Sequence, residues 1–145
     1  HITMEGDNDS CLAFWWYAST VRHLGIGGKK GLNSTHENET RYQAYKKAVA
    51  EYNRLREFYS RGKFVGIDET AHVHVHPSKP QAVVNVFNLT NKNLQREVRV
   101  RPHEIGFGSH TTLRVEGCRF EKRGIDLVLL FDLGPLSPAH AVISQ

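Results

Sequence analysis

No apolar run in this chain approaches the roughly 18 residues that a membrane-spanning helix requires, so a helical span is excluded. Cysteine is scarce. Cys11 and Cys118 are the only two, they lie far apart, and they fit no metal or redox spacing. They could pair, and the better reading is two free buried thiols. A one-signed charge cluster is also missing. The net charge is +4 at pH 7, and Lys and Arg are scattered from Arg22 to Arg123 among acids, as in Arg54, Arg56 and Glu57. Nucleic-acid binders gather their basic residues into a stripe interleaved with aromatics, so a nucleic-acid partner is excluded. The Gly25-Ile26-Gly27-Gly28-Lys29-Lys30 stretch lacks the Walker spacing and follows no parallel-sheet strand. No G-x-S-x-G elbow occurs, and no two carboxylates are placed by spacing for acid–base work. The sequence calls for no cofactor. Methionine occurs once, at Met4, after His1-Ile2-Thr3. That opening, with no signal peptide behind it, reads as a cloning remnant or a chain cut from something longer, and localisation stays open.

What is present is a core-forming chain: 145 residues, 39% of them apolar, enough for one domain. Two stretches organise it, 82–90 (AVVNVFNLT) and 125–133 (IDLVLLFDL). In the first, Val84 and Val86 share one side, while Val83, Phe87 and Leu89 share the other. In the second, Leu127, Leu129, Phe131 and Leu133 share a face opposite Val128 and Leu130. Side chains alternate along a strand, so apolar residues on both faces mark a strand covered on both sides. The two runs are expected to be mates at the centre of one sheet, covered by sheet on one face and by helices or a partner on the other.

The rest of the chain divides at Gly62. Before it, residues 1–62 form a helical segment. A first helix over about 11–24 follows Asp9 or Ser10 as cap, and a glycine-rich loop ends it. Ser34-Thr35-His36-Glu37 fits a capping box. Beyond it Tyr42, Tyr45, Val49, Tyr52, Leu55 and Tyr59 recur at spacings of three and four, widened by Ala48 and Phe58. That is the apolar stripe of an amphipathic helix, here over 37–61, with Arg61-Gly62 as its stop. From Phe64 onward the period changes to two. Strands are expected at 63–68, 71–76, 82–89, 95–101, 111–116, 118–123, 125–133 and 139–145, separated by Gly, Pro, Asn and Asp turns. The expected fold is mainly β: an antiparallel sandwich of seven or eight strands over 63–145, with one or two amphipathic helices packed on it around a shared core.

Two clusters are candidate sites. His72, His74 and His76 alternate with Val73 and Val75, so their imidazoles share a strand face. Neighbouring His residues at i and i+2 have Cβ atoms about 6–7 Å apart and can share a metal ion; a third at i+4 needs a bend. The plainer reading is the polar, solvent-facing side of an outer strand whose valines face the core. Trp15, Trp16 and Tyr17 form the densest aromatic group and could stack on sugar rings of a polysaccharide or oligosaccharide. Consecutive aromatics on a helix point three ways, however, and packing or interface is the plainer reading. Glu97, Arg99 and Arg101 mark a charged, edge-like strand. Outside the N-terminal cluster, Phe107 and Phe120 are the only obvious strand aromatics for a sugar platform, and each is isolated. Sequons occur at Asn33, Asn38 and Asn88.

In its order of elements the chain resembles the last part of an α-galactosidase (melibiase-like) glycoside hydrolase. The resemblance is carried by 42–59 (YQAYKKAVAEYNRLREFY), by Gly62-Lys63-Phe64-Val65-Gly66 and by 82–90. It extends to the tail Gly134-Pro135-Leu136-Ser137-Pro138-Ala139-His140-Ala141-Val142, and 15–28 (WWYASTVRHLGIGG) looks like the last turn of a barrel. Such enzymes end a catalytic barrel in a helix followed by an antiparallel sandwich, and their catalytic carboxylates lie far upstream. The resemblance therefore implies an accessory, non-catalytic end of a carbohydrate-active enzyme, with a free-standing carbohydrate-binding module as the alternative. It also implies apolar helix surface left uncovered without the barrel. The expected partner is the missing N-terminal catalytic domain, or a second copy in a homo-oligomer packed through residues 11–26 and the long helix.

Overall fold

The computed structural model describes residues 39–108 and 112–145. Helix α1 (Glu39–Arg61) leads into β1 (Lys63–Asp68), β2 (Ala71–Val75), β3 (Gln81–Phe87) and β4 (Leu94–Val100). A short 3-10 helix, Pro102–Ile105, follows, then β5 (Arg114–Glu116), β6 (Arg119–Arg123), β7 (Asp126–Leu133) and β8 (Pro138–Ser144). The capping box at 34–37 and the expected helix at 11–24 lie outside the described residues. The 3-10 turn was not expected, although its signals are visible: Pro102 supplies the preset φ at its start and Gly106, at φ 83°, the left-handed stop.

The strands form the expected antiparallel sandwich, with sheet orders β1-β2-β3-β8-β5 and β4-β7-β6. The two organising runs are not mates. β3 is the middle strand of the five-stranded sheet and β7 the middle strand of the three-stranded one. Ala82, Val84 and Val86 face Leu127, Leu129, Phe131 and Leu133 across the sandwich instead. Two-sided burial fits strands that pair and strands that oppose equally well, because apolar faces meet in both cases.

On its outer face β3 turns Val83 and Phe87 toward α1, where they join Ala48, Tyr52, Leu55, Phe58 and Tyr59. The molecule thus has three layers, helix on sheet on sheet, and two apolar clusters on either side of the five-stranded sheet in place of one shared core. The first turn of the stripe is not used in the same way: Tyr42 is 38% exposed. Gly62 closes α1 through a bond from its N–H to the Phe58 carbonyl (3.1 Å). A Cβ there would lie 2.2 Å from that oxygen and 2.5 Å from the Val75 carbonyl, so only glycine lets the chain turn this tightly into β1.

β4 is an edge strand, as its charges suggested, and β7 carries the buried Val128 on its solvent side. Arg123 of β6 reaches over β7 to both Glu97 oxygens of β4 (2.9 and 3.0 Å), so the pair bridges the strand that carries Val128. Arg96 of β4 meets Asp68 at the end of β1 and ties the two sheets together at one edge.

Candidate functional site

The polar groups gather at the seam between α1 and the five-stranded sheet. β2 places Val73 in the inter-sheet cluster, and alternation then sends His72, His74 and His76 toward the helix. The solvent-facing reading of this face is therefore incorrect. His74 is 1% and His76 6% exposed, and β2 is flanked on both sides by strands. Alternation places the three rings together on one face but cannot say that a helix lies on it.

Each histidine has its own environment. His76 Nδ1 accepts the backbone N–H groups of Ser78 and Lys79, both at 3.1 Å. That leaves the ring proton on Nε2, which donates to Glu57 Oε2 at 2.9 Å. Its ring also meets Phe58 edge-on at 5.0 Å. His74 packs edge-on against Tyr59 at 5.1 Å and against His72 at 5.1 Å. His72 contacts Phe64 and Phe87, both at 5.4 Å. Burial pulls both the His72 and His74 pKa values down from 6.5 to about 4, so both rings are neutral at pH 7. Nε2 of each is buried with no hydrogen-bond partner. The three histidines therefore do not converge on one point. Among the described residues no group of three or more His, Cys, Asp or Glu is arranged to hold a metal ion.

The neighbouring polar pair was not anticipated. Asn85, fully buried in β3, accepts the Tyr59 hydroxyl at 3.0 Å. The signal was an asparagine inside the apolar AVVNVF run, since a buried amide needs a partner. Tyr59→Phe leaves the Asn85 oxygen unpaired and is expected to cost about 1–2 kcal/mol, read as an earlier urea midpoint at unchanged slope. Further along the seam Glu51 accepts from Arg54 and lies 2.7 Å from His140 Nε2 on β8. The Arg54 hydrogen bond leads in holding the Glu51 pKa low, and burial leads in lowering that of His140.

An open polar groove of about 570 Å³ runs beside this seam, lined by Arg54, Glu57, His76, Lys79 and Glu116 among others. Asp68 and Glu97, away from the seam, are also paired. Burial raises the Asp68 carboxyl, but the Thr70 N–H and hydroxyl together with Arg96 outweigh it and hold the group low. Arg123 holds Glu97 low. A glycosidase general acid needs the opposite shift, upward toward neutral pH. Trp15, Trp16 and Tyr17 lie outside the described residues. Phe107, expected in a strand, follows the 3-10 helix outside any strand and is core at 3% exposure, whereas Phe120 of β6 is 42% exposed, so the two do not form a platform. Cys118 is a half-buried free thiol whose pKa burial pushes up to about 11; Cys11 lies outside the described residues.

A helix laid on a two-sheet antiparallel sandwich is the class of fold that these elements define. No family model matches the sequence, and neither does any curated protein. Solved structures do match. The chain superposes on a candidate α-galactosidase from Bacteroides fragilis with a TM-score of 0.57 at 11% identity, over 98% of this chain and 30% of that one. A β-L-arabinopyranosidase from Geobacillus stearothermophilus gives 0.58 at 12% identity, over 99% and 32%. A candidate α-N-acetylgalactosaminidase from Bacillus halodurans gives 0.54 at 16%, over 94% and 31%. The chain thus spans about a third of the length of each structure it matches. Its fold is that of the C-terminal part of α-galactosidase-type glycoside hydrolases, as the resemblance implied.

Proposed function

We propose that this chain is the non-catalytic accessory sandwich of a glycoside hydrolase, whose role is to support a catalytic domain. The observation that carries the reading is the match over almost the whole chain to only a third of each enzyme. Three of the described acids fit it, because Glu51, Asp68 and Glu97 are each held low by their partners, the wrong direction for protonating a leaving group. The partner is the catalytic domain; without it the helix side pairs with a second copy, giving a homo-oligomer. In the test the chain is assayed on aryl α-galactosides and aryl β-L-arabinopyranosides, and its mass is measured by light scattering at micromolar concentration. No turnover and a dimeric mass are expected. Turnover that survives repurification would overturn the accessory role, and a strictly monomeric mass would remove the self-pairing. Retardation by a soluble polysaccharide in affinity electrophoresis, abolished by Trp15→Ala or Trp16→Ala, would replace the reading with a carbohydrate-binding module.

A further inference from the structure

The buried histidines among the described residues, His74 and His76, both face α1. His72 stands beside them on the same face of β2, its ring 5.1 Å from that of His74. Antiparallel register continues this polar row across the sheet, from His72 to Asn85 of β3 and on to His140 of β8. The other face of the same strands presents Val73, Val84 and Ala141, in register with one another, to the apolar cluster between the sheets. Acid therefore meets two unequal interfaces: a seam under the helix that carries histidine, and an apolar interior that does not.

We propose that α1 is an acid-released layer: protonation of His72 and His74 undocks the helix from the five-stranded sheet while the two sheets stay packed on each other. An imidazolium has two N–H donors and needs an acceptor for each. Nε2 of both rings is buried without a partner, and the rings around the pair are Tyr59, Phe64 and Phe87, none of them anionic. The flanking residues in register are Gly66 and Phe64 of β1 and Asn85 and Val83 of β3. Asn85 Oδ1 already accepts the Tyr59 hydroxyl. The acids of α1 are committed elsewhere, Glu57 to His76 and Glu51 to Arg54 and His140. Burial leads in holding both central rings below their ordinary pKa, and for His74 the charge of His72 adds to it. Lifting α1 brings water to these rings, whereas parting the two sheets brings none to this face, so a local opening is the cheaper response. The outer pairs work the other way. A proton on His76 or His140 strengthens its bond to Glu57 or Glu51, so release depends on the central rings rather than on acid in general. The freed helix stays tethered through Gly62 and uncovers Val83 and Phe87 together with its own Leu55 and Phe58. None of this depends on the accessory role proposed above.

Hydrogen exchange of the full chain, read by mass spectrometry at several pH values between neutral and acid and corrected for intrinsic rates, tests the release. An undocked helix frays in water, so α1 peptides are expected to lose roughly tenfold or more of their protection at a pH where β4 and β7 keep theirs. In His72→Phe/His74→Phe that window should close, with α1 protected as far into acid as β7. Loss of protection in α1 and β7 together overturns the proposal, because acid then unfolds the whole chain. So does an α1 that stays protected throughout, or one that opens at the same pH in the double variant. Should the double variant not fold, the wild-type chain decides alone. Between the ordinary pKa of 6.5 and the folded value of about 4, the logarithm of the α1 opening constant should rise by nearly two for each unit fall in pH, one for each ring that takes up a proton on release. A slope near zero overturns the assignment.

Discussion

Lowering the pH from 6.5 to 4 is expected to remove on the order of 5 kcal/mol of folding stability through His72 and His74 together, as two shifts of this size imply. Both rings have a pKa near 6.5 when the chain is unfolded and about 4 when it is folded, with burial the leading cause for each. Between those values the unfolded chain binds protons that the folded chain refuses. Stability therefore rises with pH across this window, is fully present above 6.5 and is gone below 4. Each ring contributes about 2–3 kcal/mol once partial solvent screening is allowed for. His140, lowered chiefly by burial, adds in the same direction. Carboxylates act lower down. Glu51 and Asp68 ionise below 4.5 and 3.8, so their contribution is lost only as pH falls beneath those values. Urea unfolding at pH 7, 5.5 and 4 measures the slope. In His72→Phe/His74→Phe the slope above pH 4.5 should drop by more than half. An unchanged slope in that variant would show that these rings are already solvated in the folded chain.

That prediction depends on something the sequence displayed without explaining. The alternation of His and Val over 72–76 placed the imidazoles on one face, and the spacing of Tyr52, Leu55 and Tyr59 placed an apolar stripe on the helix. Both patterns are local, and the structure agrees with both. Which surface covers which is a matter of tertiary packing, and periodicity does not record it. Histidine is polar in water, so the alternation alone points to a solvent-facing side, yet an imidazole packs against Tyr59 and Phe58 much as an aromatic ring does. The same gap explains β3 and β7. Their doubly apolar faces announced central strands, but pairing partners are set by turns and long-range order. Strand ends were legible to within a residue or two in most cases because Gly, Pro and Asx turns punctuate them. Sites with long-range partners, such as Asn85 with Tyr59 or Glu51 with His140, left only the trace of a polar residue in an apolar run.

Asn88→Ala is expected to cost about 3 kcal/mol, the largest single-residue loss argued for this chain, since it strips several backbone groups of partners together. Asn88 follows β3 and is fully buried. Its Nδ2 donates to the carbonyls of Lys92 and Gly134, each at 2.7 Å, and its Oδ1 accepts the Thr90 N–H at 3.0 Å and the Thr90 hydroxyl at 2.8 Å. Backbone bonds from Asn88 to Ser137 (2.9 Å) and from Leu136 to Thr90 (2.8 Å) join the same two loops. Leu136 holds a φ of 48°, which a leucine adopts only where its surroundings fix it. One amide thus ties the exit of β3 to the turn between β7 and β8. Asn88→Asp separates this from mere loss of volume. It keeps the acceptor for Thr90 but points a carboxylate oxygen at two carbonyls, so it should be at least as damaging as alanine. An Asp variant as stable as the wild type in urea would refute the bridging role. The same geometry bears on the Asn88-Leu89-Thr90 sequon. A glycan needs the Nδ2 that both carbonyls already occupy, so the folded chain, secreted from a glycosylating host, should carry no sugar at Asn88 by peptide mass spectrometry.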